Sequence, residues 1–225
     1  MTVMSPTTTR RTLRIALAIL AACLAALASG CATGHPGPIS ASELADAQTF
    51  PYYPIYWVGP SFEGHPLAAA DGLQGYLPAV GDSVYYGDCV QSKGIFGGGS
   101  CQLPLQVTSV IYRLHSNAAL GPQRNLLVRG VPATAYDEGR SIEIYSGRIA
   151  IDVFSDTFAH ALAAAGRLIP LNTPESKSAK LPAPVYCPGL SGPIDARLAH
   201  VLAGLPGQPC QKAAAEVAFA AGLSG

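Results

Sequence analysis

The chain has 225 residues, a formal charge of zero at neutral pH, 12% charged residues, 49% hydrophobic residues, 24 glycines and 19 prolines. The length suits one domain with small appendages. The apolar content excludes a disordered acidic or basic tail, and the lack of a basic stripe argues against nucleic acid as a partner.

The N-terminus sets the address. Residues 1–14 carry Arg10, Arg11 and Arg14 and no acid, a pattern that holds this end in the cytoplasm. Residues 15–27 are all apolar, which matches the core of a signal peptide and falls short of the ~20 residues of a spanning helix. Ala28-Ser29-Gly30-Cys31 follows and resembles the lipobox of bacterial lipoproteins. The resemblance implies that Cys31 receives a diacylglyceryl group and becomes the first mature residue. An ordinary secretion signal would instead leave Cys31 as a free thiol, a liability in an oxidising compartment. The expected organisation is a lipoprotein signal peptide at 1–30, a flexible tether at 31–49 and one extracytoplasmic domain at 50–225. The signal removes three of 14 basic residues and none of 14 acidic ones, leaving 11 against 14, a net charge of −3.

Beyond Cys23 and Cys31, four cysteines remain: Cys89, Cys101, Cys187 and Cys210. An even number in an exported chain points to disulfides. Three pairings can be drawn, and proximity favours Cys89–Cys101 and Cys187–Cys210. No Cys-x-x-Cys spacing is present and no histidine stands beside either pair, so the pattern names no metal site.

Residues 50–62 hold six of the 17 aromatics: Phe50, Tyr52, Tyr53, Tyr56, Trp57 and Phe62. Such a cluster either builds core or lines a ligand groove, and core is the commoner use. Residues 55–58 read as a short strand and 63–82 as irregular. Residues 83–87 and 102–108 read as a hairpin with Cys89 and Cys101 at its neck. At its tip Ile95 and Phe96 are expected to fold back onto the domain; the alternative is that they form a contact point for a partner or the lipid surface. Pro104 puts the second strand at an edge or makes its start irregular.

Tyr56-Trp57-Val58-Gly59-Pro60-Ser61-Phe62-Glu63-Gly64 and Tyr86-Gly87-Asp88-Cys89 are similar to a pattern in small uncharacterised lipoproteins of actinobacteria. The resemblance implies a shared fold and an envelope location and carries no activity.

Residues 126–129 and 133–136 read as strands, with a turn at Asp137-Glu138-Gly139. Residues 141–145 and 148–154 flank Ser146-Gly147 as a tight hairpin. That register opposes Tyr145 to Arg148 and Ile144 to Ile149, gathering Ile142, Ile144, Ile149 and Ile151 on one face and Glu143, Tyr145 and Asp152 on the other. Ser155 or Asp156 then caps a helix to about residue 168, with Phe158, Leu162, Ala165 and Ile169 as its apolar stripe. Residues 194–205 and 212–223 read as further helices. The expected fold is α+β, an antiparallel meander covered on one face by helices and stapled by disulfides.

No catalytic motif stands out. Gly189-Leu190-Ser191-Gly192-Pro193 lacks the last glycine of a nucleophile elbow. Gly97-Gly98-Gly99-Ser100 lacks the lysine of a phosphate loop. Asp156 and His160 have the spacing of a helix-surface pair. The residues name no cofactor. They favour a non-catalytic envelope module for a protein, a wall component or a small ligand; the alternative is an envelope hydrolase with a dispersed site.

Overall fold

A computed structural model describes residues 37–71, 81–88, 90–92, 100–112, 122–173, 180–190, 192–207 and 210. The expected signal peptide, Cys31, Cys89, Ile95, Phe96 and the expected last helix lie outside the described residues. Those described belong to the compact unit His35–Gly225.

The fold is α+β, built on an eight-stranded antiparallel sheet of order β2-β3-β4-β7-β11-β10-β9-β8. One half is β2 (Ser61–Phe62), β3 (His65–Asp71), β4 (Asp82–Tyr86) and β7 (Leu105–Ile111). The other is the meander β8 (Arg124–Val128), β9 (Val131–Tyr136), β10 (Ser141–Ser146) and β11 (Ile149–Ser155). The halves join where β7 pairs with β11, Val107 opposite Val153. A small ribbon, β5 (Val90–Ser92) with β6 (Ser100–Gln102), extends from β4 and β7. The ladder slips by one residue between Tyr86↔Leu105 and Val90↔Gln102, where Gly87 and Pro104 stand. Pro104 thus makes the start of β7 irregular, but β7 lies between β4 and β11 and is no edge strand.

Turn chemistry fixes the hairpins. Glu63-Gly64 and Arg129-Gly130 both take positive φ at two successive residues, the geometry of a two-residue turn that follows sheet twist. At β10–β11 the loop is Gly147-Arg148, not Ser146-Gly147: Gly147 takes φ +56° at the first turn position and Ser146 pairs with Ile149. Ile144 therefore faces Ile151 and Ile142 faces Val153. The shift moves one strand by two residues, so side-chain parity survives and the isoleucine face stays intact.

That face is the core. Ile142, Ile144, Ile151 and Val153 are fully buried beneath α2 (Phe158–Arg167). The helix is capped by Thr157, whose hydroxyl accepts from the His160 N–H, rather than by Ser155 or Asp156. It buries Ala161, Ala164 and Ala165, while Leu162 is 40% exposed. Small residues let the helix axis approach a sheet already filled with branched side chains, which displaces the leucine stripe expected from spacing.

Two stretches expected to be irregular are ordered. Residues 41–49, expected as tether, form α1 (Ala41–Thr49), capped by Ser40. Ala47 is fully buried, Glu43 accepts from the Ala70 N–H, and the Ile39 N–H donates to the Leu67 carbonyl. Residues 65–71 form β3, with Leu67, Ala68, Ala69 and Ala70 buried. The third helix, α3 (Ala196–Ala203), packs Leu198 and Leu202 near Leu127, in a cluster separate from the main core. Leu126 joins the main core and Leu127 the second cluster, as neighbours on a strand must point to opposite faces. Cys187–Cys210 closes this region, with Cα atoms 5.7 Å apart. No helix among the described residues is long and apolar enough to cross a membrane.

Candidate functional site

The aromatic segment is largely core: Phe50, Tyr53, Tyr56 and Phe62 are buried, whereas Tyr52 is 69% exposed. Its path depends on one distant side chain. Asn172 donates to the carbonyls of Phe50 (2.7 Å) and Tyr53 (2.8 Å) and accepts from the Ile55 N–H (2.8 Å). The Leu171 N–H donates to the Ile55 carbonyl (2.7 Å), and β1 (Tyr56–Trp57) pairs with β12 (Ile169–Pro170). The Tyr56 N–H donates to Ser109 Oγ (2.9 Å), so the segment lies against the sheet.

A cleft of about 460 Å³ opens between this segment, the β10–β11 turn and residues 182–186. Tyr52, Tyr53, Tyr56 and Tyr186 line it, together with Arg148. The turn forms a rigid rim. The Gly147 N–H and Ser146 Oγ both donate to the Pro182 carbonyl (3.1 Å each), and the Val185 N–H donates to the Gly147 carbonyl (2.8 Å). The Tyr112 N–H donates to the Arg148 carbonyl (2.9 Å).

Each exposed wall tyrosine has an aromatic backing. Tyr52 packs edge-on against Phe50 at 5.3 Å, and Tyr186 stacks on Tyr112 at 5.9 Å. The Tyr112 hydroxyl donates to the Cys187 carbonyl (3.1 Å), so the disulfide at Cys187 anchors the Tyr186 wall. Behind the cleft, the Tyr53 hydroxyl donates to Asp82 Oδ2 at 2.6 Å. Burial raises the pKa of both groups; the carboxylate raises that of Tyr53 further, while the phenol bond partly offsets the rise at Asp82. Burial likewise raises Tyr112. These phenols are neutral at physiological pH, which leaves Arg148 as the formal charge among the lining residues. Nothing in this set makes a nucleophile–base pair, because Ser146 Oγ is committed to a carbonyl.

Among the described residues, two further polar groupings bring carboxylates close together. His160 Nδ1 lies 2.6 Å from Asp156 Oδ1, as the spacing implied, and Nε2 lies 3.2 Å from Glu63 Oε2. Hydrogen bonding to Asp156 raises the His160 pKa; at Asp156 desolvation pushes the pKa up, but the hydrogen bond and charge of His160, with bonds from Ser155 and the Thr157 backbone, together outweigh it and lower the pKa. The hydroxyl in this network, Ser155 Oγ, donates to the Pro104 carbonyl (2.6 Å). The grouping joins α2 to the β2–β3 turn.

The other grouping lies on the sheet face away from α2. Asp152 sits directly opposite Glu143, not Ala150 opposite Glu143 as the expected register had it. Asp152 accepts from Ser141 Oγ (2.7 Å) and the Tyr136 hydroxyl (3.2 Å). Glu143 is 2% exposed, so the face expected to meet solvent is buried here. Alternation assigns a side chain to a face but cannot say what covers that face.

The expected sites fare differently. Cys187 and Cys210 are bonded. Cys101 lies in β6 opposite Gln91, whereas Cys89, Ile95, Phe96 and Cys31 lie outside the described residues. Among the described residues, no group of three or more His, Cys, Asp or Glu residues is arranged to hold a metal ion. Sequence reasoning missed Tyr186 and Arg148 in the cleft and Asn172 behind its wall, because contacts between distant segments bring them into place. Comparison with known proteins finds no matching family model, no similar curated protein and no similar solved structure.

Proposed function

We propose that the chain is a lipid-anchored extracytoplasmic binding module and that the tyrosine-lined cleft is its ligand site. One observation carries the binding reading. Among the described residues, the exposed large hydrophobic side chains are Tyr52, Leu162, Val185 and Tyr186. Tyr52 and Tyr186 line the cleft, and Val185 adjoins Tyr186. Exposed apolar groups gathered at a concave site mark a place where a ligand or partner replaces water. Rigid tyrosines offer contact area with little rotamer entropy to lose.

The address rests on the sequence: the arginines, the apolar run and Cys31. Cys31→Ser should move the protein out of the membrane fraction or leave it as an uncleaved precursor. A cleaved mutant that still fractionates with membrane contradicts the lipid anchor. The cleft is tested by a thermal-shift screen of the full-length protein in detergent against small ring-bearing molecules. Hits should vanish in Tyr52→Ser/Tyr186→Ser. Hits that persist unchanged in that variant place binding elsewhere.

A further inference from the structure

We propose that Arg148 makes the cleft selective for organic anions, namely a carboxylate carried on a skeleton with a ring face. This deepens the binding reading and rests on it.

The chemistry around the cleft narrows the ligand. Tyrosine faces suit three kinds of molecule: neutral rings, anions with a ring, and organic cations held by cation–π attraction. Among the described lining residues, Arg148 alone carries a formal charge and no acid lines the cleft. A cation entering would meet a like charge, so the quaternary-ammonium use of a tyrosine cage is disfavoured. Two buried carboxyls among the described residues lie near the cleft: Glu143, 2% exposed, sits beside Tyr112 and Tyr145 behind the Tyr186 wall, and Asp82, 1% exposed, is engaged by the Tyr53 hydroxyl. Both lie behind phenols, and neither offers an open oxygen at the cleft wall.

Arg148 is also placed as a recognition residue. It is exposed and occupies the second position of a two-residue turn clamped to the Pro182 and Val185 backbone. Its own carbonyl accepts from the Tyr112 N–H. The guanidinium therefore springs from a fixed base, and no carboxylate among the described residues forms an ion pair with it. A planar fork of donors beside flat tyrosine rings matches a ligand whose carboxylate lies in reach of its ring. Two sources share this chemistry, an aromatic acid and an acidic amino sugar.

Two matched probe sets decide the matter, titrated into the full-length protein by calorimetry. Phenylacetate, phenylacetamide and phenethylammonium share a ring and differ in charge. N-acetylmuramic acid and N-acetylglucosamine share a sugar ring and differ by a lactyl carboxylate. In at least one set the acid should bind on the order of 10- to 100-fold tighter than its neutral counterpart. Whichever set responds identifies the source. Arg148→Gln should remove that preference, so that the acid binds no tighter than its neutral counterpart in the variant. Acid and neutral probes that bind equally would overturn the selectivity while leaving the cleft a ligand site. Tighter binding of phenethylammonium, or a preference that survives Arg148→Gln, would also overturn it. Failure of every probe to bind would count against the cleft reading as well.

Discussion

Asn172→Ala removes three hydrogen bonds with one substitution. The side chain bridges Phe50, Tyr53 and Ile55, more than a hundred residues earlier in the chain. Each bond contributes about 1 kcal/mol net. The cost rises where a buried partner is stranded, and Ile55 is 1% exposed. A loss of roughly 3 kcal/mol follows, or about 6–12 °C in melting temperature for a domain of this size. Asn172→Asp separates the two functions of the amide. It keeps the acceptor for the Ile55 N–H but loses both donors and sets a carboxylate against two carbonyls. It should therefore be at least as damaging as alanine. The assay is thermal unfolding by circular dichroism, paired with ligand titration, since the segment forms one wall of the cleft. If Asn172→Ala melts within about 1 °C of wild type, the amide does not hold this wall and the reasoning fails.

The other expectations follow from single features. Replacing Cys187 and Cys210 together with serine opens a loop of sequence separation 23, worth about 3.4 kcal/mol in the chain-entropy model. Urea midpoints should fall accordingly, and ligand affinity with them, because Tyr186 loses its neighbouring anchor. Gly139 has φ +86° and an added Cβ would lie 2.6 Å from the Phe158 ring, so Gly139→Ala should destabilise clearly in the same assay, whereas Gly166→Ala, with open space around it, should not. The His160 clamp gives a signed pH dependence. His160 is raised from its ordinary 6.5, so its contribution is complete below that value and fades as pH rises through the raised pKa. Asp156 is lowered from 3.8, so its contribution is complete above that value and fades in acid. The stability gap between wild type and His160→Gln should thus be widest between about pH 4 and 6.5 and narrow on either side. A gap that widens at pH 8.5 would contradict the clamp.

The sequence made some of this legible for identifiable reasons. The two faces of the β10–β11 hairpin were readable because alternation depends only on parity, and the turn was misplaced by a step that preserves parity. Cys187 and Cys210 were readable from proximity. Strand β3 was not, since its Ala-rich sequence has little β propensity and no alternation. It forms because the Glu63-Gly64 turn sends it back along β2 and β4 supplies its other neighbour. Helix α1 looked like tether because its sole fully buried residue is an alanine. The cleft was invisible because its walls come from three separated stretches. Local patterns record how a segment folds, not which distant carbonyl an Asn172 amide will reach.

The central claim is that the exposed tyrosines at the cleft serve a ligand and not the fold. Tyr52 and Tyr186 are 69% and 42% exposed, so Tyr52→Ser/Tyr186→Ser should change the melting temperature little. Each ring stacked on a ligand contributes about 1 kcal/mol, so the pair should weaken the tightest-binding probe by roughly 30-fold. Calorimetric titration of wild type and the double variant, beside their melting curves, reads both quantities. Weakened binding at unchanged stability is the expected result. Unchanged affinity, or a large fall in melting temperature with the rings removed, would contradict it.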